Sequence, residues 1–274
     1  MAAGASGGEQ LGLELAYDGT AYNGWQSQPP PHDTVQGEVE KAIARITGCT
    51  IRLIGAGRTD AGVHALGQVA VARLATHLPL AELRKALNAV LPGDIRVKSV
   101  RRVPAAFHPQ HDAIDKTYFY QIHVGSFLPP FRRHCFYHSR VALDLERMRA
   151  AARVLVGEHD FRSFTTQAHL KKSTVRCVRR LWILRIPSGL RVFVTADGFL
   201  YNMVRAFVGA LLKVGAGDLS APDLHTILTA RDRRAAPPNA PPQGLFLWRV
   251  RYAVRDQPLA SRRRPSSTSA GGNC

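Results

Sequence analysis

The sequence predicts an α+β fold: two mixed α/β units with largely antiparallel sheets. Three observations predict it. Segments of strand period and of helical period occur in both halves of the chain. Hairpin-type turns such as Pro187-Ser188-Gly189 outnumber obvious crossovers. The 274-residue length suggests about two domains of roughly 100–200 residues each. A split near residues 104–114 gives an N-terminal unit over 11–110 and a C-terminal unit over 111–255. Residues 1–10, rich in Ala, Gly and Ser, and 256–274, rich in Pro, Ser, Arg and Gly, read as disordered ends that bury little apolar surface.

In the first unit, Leu11, Leu13 and Leu15 share one face of a strand that ends at the Asp18-Gly19 turn. Thr34 is placed to cap a helix in which Val35, Val39, Ala42, Ile43 and Ile46 recur at helical spacing, with Gly48 as the stop. Ile51 to Ile54 reads as a short strand, followed by a glycine-rich segment from Gly55 to Gly67. Val69 and Val71 alternate again. Pro79 opens a helix carrying Leu80, Leu83 and Leu87, closed by Leu91-Pro92-Gly93, and Ile95 to Val103 is a basic strand.

The second unit starts with a strand over Lys116 to Val124. Tyr118, Tyr120, Ile122 and Val124 lie on one face and Thr117, Phe119, Gln121 and His123 on the other. Leu145, Met148, Ala152 and Leu155 mark a helix ended by Gly157. Strands at about 174–186 and 190–196 flank the Pro187-Ser188-Gly189 turn. Leu200, Val204, Phe207 and Leu211 define a further helix, and Ser220-Ala221-Pro222-Asp223 caps another. After a Pro-rich loop from Ala235 to Pro242, Leu245 to Tyr252 is the final strand.

Composition narrows the function. A hydrophobic fraction of 45% with 21% charged residues excludes global disorder. No apolar run approaches the about 18 residues that span a bilayer, and Met1 to Gln10 lacks the basic start and apolar stretch of a secretory signal. A cytoplasmic protein is expected. Cys49, Cys135, Cys177 and Cys274 form no C-x-x-C pair, so reduced thiols are expected. Lys and Arg number 37 against 20 Asp and Glu, a net charge of +17. Such an excess attracts a polyanion, and no basic amphipathic helix points to a membrane surface. Nucleic acid is the expected partner. Removing the tail run Arg262 to Arg264 leaves most of this charge, so it belongs to the folded part.

The densest functional signal is the segment Gly55-Ala56-Gly57-Arg58-Thr59-Asp60-Ala61-Gly62-Val63-His64-Ala65. It begins like a dinucleotide-binding loop, but Asp60 occupies the position where that fingerprint needs a small residue, and its charge would repel a pyrophosphate. The segment instead sets one carboxylate on a loop whose glycines permit close backbone approach. Arg58 beside it has the planar fork that suits a phosphate. An Asp so placed is a candidate nucleophile or base when a cation keeps it ionised. Arg58 and His64, which flank it, are candidates for substrate contact.

The run Gly57-Arg58-Thr59-Asp60-Ala61-Gly62-Val63-His64 resembles the signature of the tRNA pseudouridine synthase A (TruA) family. The resemblance spans about residues 11–252. It includes Tyr17-Asp18-Gly19-Thr20, Gly24-Trp25-Gln26, Asn88 with Leu91-Pro92-Gly93-Asp94-Ile95, and Phe107-His108. Further on it includes Lys116-Thr117-Tyr118-Phe119-Tyr120, His159-Asp160-Phe161, Asn202-Met203-Val204-Arg205 and Gly244-Leu245-Phe246-Leu247, in the right order and spacing.

The resemblance implies the pseudouridine synthase fold, with two units around a central basic cleft. It implies an enzyme that needs no cofactor and isomerises uridine to pseudouridine in the anticodon stem-loop of tRNA, at positions 38 to 40, and a homodimer that cradles one tRNA across both subunits. Asp60 matches the nucleophile, which attacks either the ribose C1′ or the uracil C6. Arg205 matches the cation paired with it, which would hold it by a bidentate contact. Tyr118 matches the tyrosine that packs on the target uracil and assists proton removal from C5, and Leu245 the apolar residue covering the base pocket. Arg96, Lys98, Arg101 and Arg102, with Lys171, Lys172, Arg176, Arg179 and Arg180, are candidates for phosphate contact. Gln110 stands where the family usually carries a basic residue, and Phe119 replaces a frequent arginine.

Two other chemistries are weaker. His134-Cys135-x-x-His138 could be drawn as metal ligands and Asp112-x-x-Asp115 as a carboxylate pair, yet the first lacks a fourth ligand at zinc spacing. A non-catalytic RNA-binding or RNA-folding protein would share the basic surface but has no use for a carboxylate amid positive charge. A synthase aimed at another RNA is the remaining alternative.

Overall fold

In the first strand, β1 (Glu9–Tyr17), Leu11, Leu13, Leu15 and Tyr17 alternate onto one buried face. A computed structural model describes residues 8–170 and 172–253. Thr34 caps α1 (Val35–Thr47) through its hydroxyl, and Gly48 ends it with a left-handed φ of 72°. The short β2 (Ile54–Gly55) precedes β3 (His64–Leu74), then α2 (Leu80–Val90) and β4 (Ile95–Arg102) follow. The second half comprises β5 (Ala113–Val124), β6 (Tyr137–Ser139), α3 (Leu145–Ala152) and β7 (Gly157–Asp160). It continues with the hairpin β8 (Val175–Ile186) and β9 (Gly189–Ala196), then α4 (Met203–Ala216), α5 (Ala221–Ala230) and β10 (Leu245–Tyr252). Ser220 and Asp223 form a reciprocal capping box on α5.

The strands of both halves join in one mostly antiparallel sheet, in the order β4-β1-β3-β10-β5-β9-β8-β7, with β2 beside β3 and β6 beside β5. The closing strand makes the join. β10 runs parallel to β3, with Phe246 opposite His64, and antiparallel to β5, with Leu247 opposite Tyr118 and Leu245 opposite Tyr120. The two units expected from the sequence are thus halves of one sheet, because a pairing between strands so far apart in the chain has no local signature.

One sheet face is covered by the helices. Tyr118, Tyr120 and Ile122 of β5 share its core with Val39 and Ile43 of α1, Leu83 and Leu87 of α2, and Phe207 and Leu211 of α4. The opposite face carries a separate aromatic cluster of Phe119, Phe193 and Phe246, flanked by Trp182. The period-two division of β5 read from sequence is what the structure shows.

Several boundaries differ. Glu9 and Gln10, expected in a disordered end, are strand residues. Gln10 pairs with Arg73, and its amide donates to the carbonyls of Pro104 (3.1 Å) and Phe107 (2.6 Å). Ile51 to Leu53 are not strand, and His64 to Gly67 are. The expected run from Gly55 to Gly67 therefore shortens to the turn between β2 and β3. The Arg262 to Arg264 run, Cys274 and Lys171 lie outside the described residues.

Candidate active site

The segment between β2 and β3 is fixed by hydrogen bonds on both sides of Asp60. Ala56 N–H donates to the Val69 carbonyl at 2.7 Å, and the Gln68 amide donates to the Gly57 carbonyl at 2.7 Å. The Thr59 hydroxyl lies 2.8 Å from the buried Tyr17 hydroxyl, and the Thr59 carbonyl accepts from Trp25 N–H at 3.0 Å. Val63 N–H closes a turn on the Asp60 carbonyl at 3.1 Å. The Tyr17-to-Trp25 motif and the Asp60 motif thus build one object, which explains why both are glycine-rich. At Gly24, where φ is +88°, a Cβ would stand 2.5 Å from the Thr59 carbonyl oxygen.

Arg205 comes to Asp60 from α4. Its Nη1 donates to Asp60 Oδ2 at 3.2 Å and to Asn202 Oδ1 at 2.8 Å, while Nε donates to the Ala240 carbonyl at 2.8 Å. The carboxylate contact is a single hydrogen bond, not the bidentate fork expected from sequence, and Nη1 shares itself between Asp60 and Asn202. Asn202 precedes α4 with a left-handed φ of 62° and makes no side-chain cap. Its amide oxygen faces the guanidinium instead of the helix N-terminus. Both partners of the ion pair are mostly buried, with side chains 18% (Arg205) and 20% (Asp60) exposed. Burial raises the Asp60 carboxyl above its ordinary range, and the Arg205 charge and hydrogen bond oppose that rise.

Tyr118 reaches the same place from β5. Its ring meets Phe199 edge-on at 5.0 Å between centroids, and its hydroxyl would lie 3.6 Å from a Cβ at Gly57. Burial, reinforced by Tyr17 and Asp60, raises the phenol so that it stays protonated at neutral pH. Leu245 is buried on the same sheet face, opposite Tyr120. Tyr120 is wholly buried and donates its hydroxyl to the Pro241 carbonyl at 2.8 Å.

The other candidates separate. Arg58 is exposed on the Asp60 loop. His64 is 1% exposed and stacks on Phe246 at 4.5 Å. Its Nδ1 accepts from Gly19 N–H at 3.1 Å and its Nε2 lies 3.1 Å from the Gln243 carbonyl. The expectation of a substrate contact at His64 is corrected, since the ring is sealed beneath the loop and ties the first motif to the last. On β4, Lys98 pairs with Glu14, Arg102 pairs with Glu9 at 2.6 Å, and Arg96 donates to the Pro92 carbonyl at 2.7 Å. That strand is the sheet edge on the far side of β1 and β3 from β10. Arg176 of β8 stands nearer the site, within electrostatic reach of Lys116. His138 Nε2 lies 2.8 Å from the Gly125 carbonyl, and the Cys135 carbonyl accepts from the Gln121 amide at 3.0 Å.

Sequence reasoning missed the Ala240 carbonyl and the burial of Lys116. A main-chain acceptor has no sequence signal, while Lys116 could have been read from its alternation with Tyr118 and Tyr120.

Comparison with known proteins bears on the same residues. A family model described as tRNA pseudouridine synthase matches residues 15–112 and 151–253. A protein of Brevibacillus brevis named tRNA pseudouridine synthase A is 43% identical over 244 residues, covering 89% of this chain and 100% of its own. A Caldicellulosiruptor bescii protein of the same name is 40% identical over 240 residues, covering 88% and 98%. A Protochlamydia amoebophila protein named tRNA pseudouridine synthase A 1 is 41% identical over 244 residues, covering 88% and 95%.

Proposed function

The chain belongs to the tRNA pseudouridine synthase family, and from that membership we propose that it isomerises uridine to pseudouridine in the anticodon stem-loop of tRNA, at positions 38 to 40, with Asp60 as nucleophile. The observation that carries this reading is the half-sealed Asp60–Arg205 pair at 3.2 Å, on a loop braced on both sides. A carboxylate in such a place is desolvated enough to be reactive, and a guanidinium keeps it ionised and aligned.

The target uridine is extruded, which costs a few kcal/mol and is cheapest in loops. Tyr118 and Leu245 receive its base. An Asp60 oxygen bonds to the ribose C1′ or to the uracil C6, and the N1–C1′ bond breaks. The ring turns, C5 bonds to C1′, the bond to Asp60 breaks and the carboxylate is regenerated; the C5 proton leaves and N1 takes one up, so the product is an isomer and no co-reactant is consumed. Tyr118, protonated at rest, packs on the ring and relays that proton. Arg58 takes a backbone phosphate by its planar fork.

The protein acts as a homodimer in the cytoplasm, where tRNA is modified. Support for a second copy comes from the sheet face opposite the one that Tyr118 and Tyr120 share with the helices. There Phe119, Phe193, Phe246 and Trp182 cluster, and Trp248 and Leu66 remain 37% and 42% exposed. No helix among the described residues is long and apolar enough to cross a membrane.

The test is Asp60→Ala assayed for pseudouridine in a tRNA transcript. Wild type forms it and the variant does not; a variant that still forms it removes Asp60 from the mechanism. Wild type that binds tRNA with a steep salt dependence but forms no pseudouridine would make the protein a binding module.

A further inference from the structure

Lys116 is the one lysine among the described residues with a buried side chain, only 8% exposed. It precedes Tyr118 by two positions on β5 and so shares its sheet face. A Cβ at Gly57 would touch both, at 3.6 Å from the Tyr118 hydroxyl and 4.0 Å from Lys116 Cδ. The lysine stem therefore runs beside the tyrosine under the loop that carries Asp60. Lys116 lies in one cross-strand row with Ala196 of β9 and Val178 of β8, and Arg176 precedes Val178 by two positions. No carboxylate among the described residues pairs with the ammonium. Burial pushes its titration down to about 8, and the Arg176 charge acts in the same direction.

A largely buried lysine whose ammonium has no counter-charge costs the fold stability, and removal of such a group in favour of an apolar one is commonly neutral or stabilising. Its presence beside a site that receives a polyanion asks for an anion from outside. The group attached to any extruded nucleotide is a phosphodiester, with one negative charge and acceptor oxygens that suit a point-charge donor.

We propose that Lys116 is an anion site for the phosphate of the extruded nucleotide, filled only when RNA is bound. This rests on the reading of the cleft as the place where a uridine enters. Tyr118 and Lys116 then divide one ligand between them, the ring to the base and the ammonium to its backbone.

The experiment compares wild type, Lys116→Met and Lys116→Arg for equilibrium binding of a tRNA transcript across about 50–200 mM salt. Thermal unfolding and pseudouridine formation are measured on the same preparations. Lys116→Met is expected to bind about tenfold more weakly, with the log–log salt slope shallower by about 0.7–0.9, and to unfold no earlier than wild type. Lys116→Arg keeps the slope. The loss appears in Kd and KM. A Lys116→Met variant with wild-type affinity and slope, or one that unfolds earlier, overturns the proposal, as does a loss confined to kcat. Wild type that forms no pseudouridine while Lys116→Met still flattens the slope overturns the synthase reading and leaves the phosphate site standing.

Discussion

Arg205 reaches Asp60 through one nitrogen, Nη1 at 3.2 Å from Oδ2, while its Nε is held by the Ala240 carbonyl at 2.8 Å. The guanidinium is anchored by the protein first and offered to the carboxylate second. A fork fully spent on the aspartate would cage the oxygens that must reach the nucleotide. One hydrogen bond keeps the charge close and leaves Oδ1 without an Arg205 contact.

Replacing Asp60 separates its chemistry from its folding role. Asp60→Asn keeps the shape and removes the nucleophile, so pseudouridine formation should fall by at least about a thousandfold, the scale seen when a catalytic nucleophile is deleted. Stability should move the other way. The folded carboxyl titrates above its unfolded value, so the folded state binds more protons between the two, and the wild type loses stability as pH rises through that window. The amide does not titrate. Asp60→Asn should unfold no earlier than wild type at pH 7, and a lower Tm would mean that the Arg205 contact outweighs burial.

The same balance fixes a pH profile. Asp60 is active when ionised, burial raises it, and Arg205 restrains the rise. The acid limb of kcat/KM should therefore lie above the ordinary carboxylate range. Arg205→Met removes the restraint and should shift that limb further upward while lowering kcat/KM at its plateau. Arg205→Lys retains the charge without the fork and should shift it less. A limb that stays in place or moves to lower pH in Arg205→Met would show that Arg205 does not act on the Asp60 carboxylate.

The bracing of the loop is testable away from the chemistry. Gly24 has a φ of +88°, and a Cβ there would press on the Thr59 carbonyl at 2.5 Å, which is backbone and has nowhere to go. Gly24→Ala should destabilise by about 1–3 kcal/mol, a fall in Tm of very roughly 2–12 °C for a domain of this size. It should also lower activity more than Tm alone explains, because Thr59 adjoins Asp60. Gly48→Ala is the control: it has a φ of 72° but nothing within 4 Å, so it should cost stability without a matching loss of activity.

What the sequence disclosed follows the range of the interactions. Local signals were legible: Thr34 and Gly48 bound α1, and the alternation of β5 places Tyr118 and Phe119 on opposite faces. Pairing at a distance was not. The sheet is continuous because Phe246 registers against His64, and nothing near either residue says so. Asp60 was visible as a carboxylate among glycines, and its link to Arg205 came through the family resemblance, since an arginine inside an apolar helix does not name its partner. His64 shows the opposite failure. Its place beside Asp60 suggested substrate, whereas strand geometry turns it inward between Gly19 and Gln243.

The aromatic sheet face gives the last expectation. Phe193 stacks on Trp182 at 4.7 Å and meets Trp248 at 5.3 Å, and Arg191 lies 4.9 Å over Phe119. These contacts hold an apolar cluster whose phenylalanines are buried and whose outer members, Trp248 and Leu66, stay open to solvent. If a second copy covers it, charges placed at its exposed rim will be desolvated on association but solvated in the monomer. The Leu66→Glu, Trp248→Glu double variant should therefore fold, at the cost of the Trp248–Phe193 contact, and sediment as a monomer at concentrations where wild type is a dimer. Should one tRNA be held across both subunits, its affinity for tRNA should fall as well. Wild type that sediments as a monomer in the presence and absence of tRNA would end the dimer reading. A double variant that remains dimeric would move the interface to another face.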